Sequence, residues 1–327
     1  MKLLLIVCLS WVAIFGANLF DPFIDSADSQ FFLSALLDYD EALYEKTIDE
    51  LEVLRDHYDF FPGIEEGNFC PVVPNKKPIP QQIHLIWLGP KRFPIASIPL
   101  LRSLIDLHPN YKIIFWTDRQ RKLEKLPLAY RHKLTFAEAD QIDTILKKDL
   151  VVKKLFASSL NPAEQSDLLR YLILFQIGGV YIDHDVRLVK PLDPLVDHLS
   201  FFCFCDRLYG MVLQQYLKFS NAVIGSCPGN QLIQQTLDLV KARWDEWTTF
   251  FNQINIAAFG LDQNRQLYGH SVLLKTFIPF TLVLKKATLT PYEVILPPQL
   301  MQKLPVEGCE HMFGYHRAAL TWWQTDD

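Results

Sequence analysis

Residues 161–185, NPAEQSDLLRYLILFQIGGVYIDHD, constrain the fold more tightly than any other stretch of this chain, because they spell a complete helix, turn and strand. Asn161 is a good helix N-cap, Pro162 suits the first helical position, and Glu164 stands where a capping box wants an acid. Leu168, Leu169, Leu172, Ile173 and Ile177 supply an apolar face, and Gly178 suits a left-handed stop. Val180–Ile182 reads as a short strand, and the unit ends at Asp183-His184-Asp185. Side chains alternate along an extended backbone, so Asp183 and Asp185 are expected on one face, two residue rises of ~3.3 Å apart, with His184 turned away.

Two carboxylates on one face make a claw for a hard divalent cation, which favours oxygen ligands and is commonly completed by water and substrate phosphates. A short D-x-D string by itself reads more simply as a solvated strand end or turn; the helix and glycine turn that deliver this one set it apart. Asp167, Arg170 and Tyr171 share one side of the expected helix by their i, i+3, i+4 spacing. That spacing allows a structural ion pair. It equally allows Arg170 and Asp167 to meet the oxygens of a phosphate or a sugar, which suit a guanidinium fork.

Ser166–Asp185 resembles the signature of the DXD sugar-transferase family that includes the initiating mannosyltransferases of yeast and the glucosylating domains of large clostridial toxins. Ile79–Gly89 (IPQQIHLIWLG) is similar to that family's opening strand, and Tyr111–Asp118 (YKIIFWTD) to its second. The resemblance covers about residues 79–230, with a weaker echo at Gly314–Trp323. It implies a GT-A-type, Rossmann-like, mainly parallel sheet flanked by helices. It also implies roles for matching residues. Trp87 would stack on the donor's base; Asp167 and Arg170 would contact the donor sugar, Tyr181 the nucleotide side, and Asn221 the sugar or the acceptor. Asp183 and Asp185 would hold ribose, metal and diphosphate, with Asp183, Asp185 and Arg170 as the catalytic set. His316 or Thr321, near the family's closing His and Ser-Trp pattern, would complete the metal site, and Trp322 would line the substrate site. A histidine ligand tilts the ion from Mg2+ towards Mn2+. Where the family often carries Thr-Gly-Pro, this chain has Tyr268-Gly269-His270, a departure on the acceptor side.

The rest of the chain fits such a domain. Apolar runs at 83–87, 112–117, 180–182, 200–204 and 222–226 alternate with helical stretches, which argues for a mainly parallel sheet covered on both faces, with ligands at the strand carboxyl ends. With 327 residues, half of them hydrophobic, the chain has ample core for one large α/β domain, expected over 79–327. Residues 21–78 read as a helical stem or extension with a proline-rich linker. Residues 1–20 read as a signal peptide or membrane anchor, because Leu3–Phe20 is mostly apolar after Lys2. This places the domain in a membrane-anchored or exported setting. A net charge of −5 disfavours broad nucleic-acid binding. The lysines at 147, 148, 153 and 154 read as a solvated helix face, or else as a contact for an anionic membrane surface. Six cysteines show no C-x-x-C metal pattern, and five remain once Cys8 is set aside in the N-terminal segment.

The function expected is metal-dependent transfer of a sugar from a UDP- or GDP-sugar to a glycan, lipid or protein acceptor, with the retention of configuration that the family resemblance implies. A non-catalytic nucleotide-sugar or glycan-binding protein of the same fold is the alternative. A metal-dependent phosphohydrolase, which ordinarily needs more clustered acids and histidines, is the third reading.

Overall fold

The computed structural model describes residues 57–64, 77–119, 123–206, 218–253, 272–297, 300–302 and 312–316. All of them belong to one compact unit, residues 48–207 with 217–327. In chain order the main elements are β1 (Gln82–Trp87), α1 (Ile98–Leu107), β2 (Lys112–Thr117), β3 (Leu134–Ala137), α2 (Ala139–Leu146), α3 (Leu150–Ser158), α4 (Pro162–Gln176), β4 (Gly179–Ile182), β5 (Val186–Leu188), β6 (Phe201–Asp206), β7 (Lys218–Ser226), α5 (Gln231–Gln253), α6 (Ile278–Lys286), β8 (Glu293–Leu296), β9 (Met301–Gln302) and β10 (Gly314–His316).

Seven strands form one sheet in the order β3-β2-β1-β4-β7-β6-β8. β1 pairs in parallel with β2 on one side and β4 on the other, β2 pairs in parallel with β3, and β6 with β8. β7 alone runs against its neighbours β4 and β6. The mainly parallel, helix-flanked sheet read from the apolar runs is therefore present. The sequence reading missed β3, β5, β8, β9 and β10, which are four residues or shorter and give too few alternations for a periodic signal. β10 joins β5 and β9 in a second, three-stranded sheet. That small sheet brings His316, from the far end of the chain, antiparallel to Val186, one residue past the Asp-His-Asp turn.

Alternation along the strands divides the core in two. Ile83, Leu85, Ile113, Phe115, Val180 and Ile182 face one layer, which contains α1 residues Leu101, Leu104 and Ile105. Ile86, Ile114, Trp116 and Tyr181 face the other, against α4, α5 and α6. Part of the expected stem packs here too: Phe61 is fully buried, and the Tyr58 hydroxyl donates to the carbonyl of Ile295 at 2.8 Å. Lys147 and Lys153 both reach Asp143 at 2.6 Å, so half of the expected basic face is engaged in surface ion pairs.

α4 forms for the reasons its sequence announces. Asn161 Oδ1 accepts from the backbone N–H groups of Ala163 and Glu164, and Pro162 occupies the first turn. The Glu164 carboxylate reaches back one residue further than a capping box, to the N–H of Leu160 at 2.9 Å. The helix ends at Gly178, whose φ of 72° is the left-handed stop, and whose N–H donates to Leu174. Gly179 follows with φ 104°, and a Cβ there would sit 2.7 Å from the backbone oxygen of Gln82. Contrary to a simple amphipathic helix, Glu164, Asp167, Arg170 and Tyr171 are buried along with the leucines. Residues 1–20 and the rest of the expected stem before 57 lie outside the described residues. Among the described residues no helix is long and apolar enough to cross a membrane.

Candidate active site

The site lies where the chain order reverses. From β1 the chain moves outward to β2 and β3, then returns through α4 to β4 on the other flank of β1. Ligands of open α/β sheets bind at such a switch point, beyond the strand carboxyl ends. Trp87 ends β1, and Asp183 follows the last residue of β4.

Asp183-His184-Asp185 is a turn rather than an extension of the strand: the N–H of Val186 donates back to the carbonyl of Asp183 at 3.2 Å, and β5 begins there. The alternation expected of an extended backbone is thus produced by a turn. The outcome for the carboxylates is a shared space with the imidazole of His316, since one ligand atom from each of Asp183, Asp185 and His316 lies within 4.8 Å of the others. His316 Nε2 stands 3.2 Å from Asp185 Oδ1 and 3.9 Å from Asp183 Oδ2. Two carboxylates and an imidazole are a donor set suited to a divalent transition ion, so these residues fit a bound metal. Asp185 is buried, whereas Asp183 is half-buried and more open to a ligand.

Behind the claw is a buried polar network. The Tyr181 hydroxyl donates to Asp183 Oδ1 at 2.5 Å, and the Arg170 guanidinium lies 4.1 Å from the centre of the Tyr181 ring. Arg170 donates to the Asn221 carbonyl at 2.5 Å, pairs with Asp167 at 2.6 Å and reaches Asp183 Oδ1 at 3.3 Å. Asp167 in turn accepts from Thr276 Oγ1 at 2.5 Å and from the Asn221 amide at 3.2 Å. That amide also donates to the Tyr171 hydroxyl, which itself donates to the Thr276 carbonyl. Burial opposes the Arg170 charge, but the Asp167 carboxylate, Tyr181 and Asp183 outweigh it and hold the guanidinium protonated. Burial pushes the Asp167 carboxyl up, with Arg170, Thr276 and Asn221 opposing. The i, i+3 spacing thus produces the buried ion pair, and the same guanidinium also reaches Asp183 of the claw.

His184 turns away from the claw, as expected. Its ring meets Trp87 edge to face at 4.8 Å, and its Nδ1 is 2.9 Å from Ser97 Oγ. Trp87 is half-buried, with its indole N–H donating to the Lys91 carbonyl at 2.9 Å. Of the residues read from the sequence, Asp167, Arg170, Tyr181, Asp183, Asp185, Asn221 and His316 come together in one network, with Trp87 joined to it through His184. Thr321, Trp322 and Tyr268-Gly269-His270 lie outside the described residues. Sequence reasoning missed Thr276 and Ser97. Thr276 sits with Lys275 in a five-residue π-helical turn, Leu273–Phe277, inside an apolar run, and a polar pair in such a run is the signal that was there to be read.

The class of protein defined by this fold and site is matched at the level of sequence. Residues 96–202 match the family described as "Glycosyltransferase sugar-binding region containing DXD motif", which bears out the resemblance drawn from Ser166–Asp185. More particularly, the chain is 33% identical over 143 residues to the mannosyl phosphorylinositol ceramide synthase SUR1 of Saccharomyces cerevisiae, covering 43% of this chain and 29% of that protein. It is 30% identical over 120 residues to inositol phosphoceramide mannosyltransferase 3 of Schizosaccharomyces pombe, covering 37% of this chain and 28% of that protein. The match thus spans under a third of either relative's length. Among solved structures, "PaToxG Glycosyltransferase" aligns with 21% identity and a TM-score of 0.48, over 75% of this chain and 79% of that one.

Proposed function

We propose that this chain transfers a sugar from a nucleotide-diphosphate sugar to an acceptor hydroxyl, with a divalent cation at Asp183, Asp185 and His316. The observation that carries the reading is the convergence of those three side chains at the carboxyl end of β4, within a stretch that matches a DXD sugar-binding region. Mn2+ is the ion the mixed oxygen and nitrogen donor set favours, with Mg2+ second. When bound, such an ion neutralises the charge that builds on the departing diphosphate.

The chain's own residues supply the rest. Asp183, the more open carboxylate, receives the Tyr181 hydroxyl and the Arg170 guanidinium on one oxygen, which leaves Oδ2 turned towards His316. A carboxylate held this way is preorganised and needs little rearrangement when the donor arrives. Trp87 offers an aromatic face for the base, a contact that tolerates any base because each has a π-face. In this reading Arg170 and Asp167 serve the donor sugar; they are paired beneath the claw, and Asn221 bonds to both. We infer retention of anomeric configuration, with the acceptor hydroxyl entering on the leaving-group side; no protein nucleophile is required.

The names of the yeast relatives favour mannose as the sugar and a lipid as the acceptor class, ahead of glycan and protein. The apolar segment 3–20 suits a membrane-anchored or exported enzyme acting on such an acceptor. The test is a panel of UDP- and GDP-sugars with Mn2+ or Mg2+, offered with lipid, glycan and protein acceptors. Asp185→Asn is expected to lower turnover at least about 100-fold, the scale of losing a principal electrostatic contact, with an unchanged circular dichroism spectrum. Wild-type turnover in that variant at saturating metal defeats the reading. Binding of the donor with neither transfer nor hydrolysis identifies the non-catalytic alternative.

A further inference from the structure

We infer that His184, the residue between the two aspartates, is a positioning residue that couples the base platform at Trp87 to the metal claw. The inference rests on the proposed nucleotide-sugar reading and deepens it.

The middle residue of a two-carboxylate turn has no part in holding an ion, and here its side chain leaves the claw altogether. It enters an aromatic corner instead. The imidazole meets Trp87 edge to face at 4.8 Å, 83° between planes, and Phe93 at 5.9 Å, 71° between planes. Phe93 in turn meets Trp87 at 5.5 Å and Phe115, in the middle of β2, at 5.5 Å. Ser97, buried at the start of α1, is 2.9 Å from the imidazole Nδ1 and sets the ring's rotation. The Trp87 indole is held at its other end by Lys91. The imidazole of the aspartate turn thus meets two segments some ninety residues earlier in the chain, the end of β1 and the Phe93–Ser97 approach to α1.

Because His184 lies between Asp183 and Asp185 on the same short turn, the backbone that orients its ring also orients both carboxylates. A cation that fixes the carboxylates fixes the turn, and with it the ring against which Trp87 rests. The indole is then held ready for a base before any base arrives. An ordered platform binds more tightly because less freedom is lost on binding. By reciprocity, a base seated on Trp87 tightens the hold on the cation.

A nucleoside without phosphates separates this route from direct chelation, since it can meet Trp87 but cannot ligate the cation. Binding of uridine and of guanosine to the full chain is measured by equilibrium dialysis, with and without Mn2+. In the wild type, Mn2+ is expected to tighten one nucleoside by at least about fivefold, the low end of ordinary coupling between sites. In His184→Ala that gain is expected to disappear, while Mn2+ alone still binds. His184→Phe, which keeps an aromatic edge against Trp87, is expected to restore part of the gain. Ser97→Ala, which removes the hydroxyl beside the ring's Nδ1 without touching tryptophan or claw, is expected to reduce it. A full gain persisting in a folded His184→Ala overturns the inference while leaving the transferase reading intact. A wild type that binds a nucleoside equally with and without Mn2+ also overturns it. If the wild type binds neither Mn2+ nor any nucleoside diphosphate, both readings fall together.

Discussion

At the scale of single residues, Arg170 decides how the claw is presented. Its guanidinium spans Asp167, Asp183 and the Asn221 carbonyl, three partners that a lysine ammonium has no planar fork to match. Among the described residues its buried Nε has no hydrogen-bond partner, so the fork is held by its two terminal nitrogens. Arg170→Lys keeps the charge and loses the fork. Breaking a buried ion pair costs about 3–5 kcal/mol, and because the cation is kept this variant should lose about 3 kcal/mol of stability by denaturant unfolding. Turnover should fall by at least about tenfold, because Asp183 loses one of the groups that orient it; a variant with wild-type kcat would show that Arg170 is structural alone. The pairing of Asp167 with Arg170 was legible from i, i+3 spacing. The contact with Thr276 was not: a polar pair in an apolar run can mark the residue, but not its partner 109 positions away.

At the scale of elements, the turn between α4 and β4 is held at the height the site requires by His84. The His84 imidazole is buried in β1, with Nε2 2.8 Å from the Gly178 carbonyl and Nδ1 accepting from the Trp116 indole of β2 at 3.1 Å. It is therefore neutral, with the proton on Nε2, and burial pushes its pKa down from 6.5 to about 4. The sign follows from proton counting: between these two values the unfolded chain binds the proton and the folded chain does not, so stability is lost as pH falls from 6.5 to 4 and is unchanged above 6.5. The group's share is roughly 3 kcal/mol at about 1.4 kcal/mol per pH unit. Urea unfolding of wild type and His84→Gln across pH 4–7 checks it; the variant should be less stable at pH 7 but should lose correspondingly less on acidification. Equal slopes for both proteins would remove His84 from this role. Buried neighbours of this kind are invisible to strand periodicity, which reports only that position 84 faces inward.

At the scale of the whole molecule, the site is assembled from β1, α4, the β4–β5 turn, β7, the π-helical turn and β10, so a ligand bound there ties together segments from Trp87 to His316. Mn2+ with UDP or GDP should stabilise the fold by about 2.7 kcal/mol at a ligand concentration 100 times its Kd, and EDTA should reverse it. Asp185→Asn should show little of this shift in Tm; an equal shift in the variant would place the ligand elsewhere. The local pattern of the chain was enough to locate the capped helix, its glycine stop, the strands read at 83–87, 112–117 and 180–182, and the two aspartates that follow, because caps, glycine turns and apolar runs are local in sequence. The direction of β7, the burial of the polar face of α4, the arrival of His316 and Thr276, and the meeting of His184 with Trp87 were decided only in the folded chain. Those features depend on which distant surfaces bury each other. Backbone pairing and desolvation of charged groups settle that, and neither leaves a periodic trace in the order of residues.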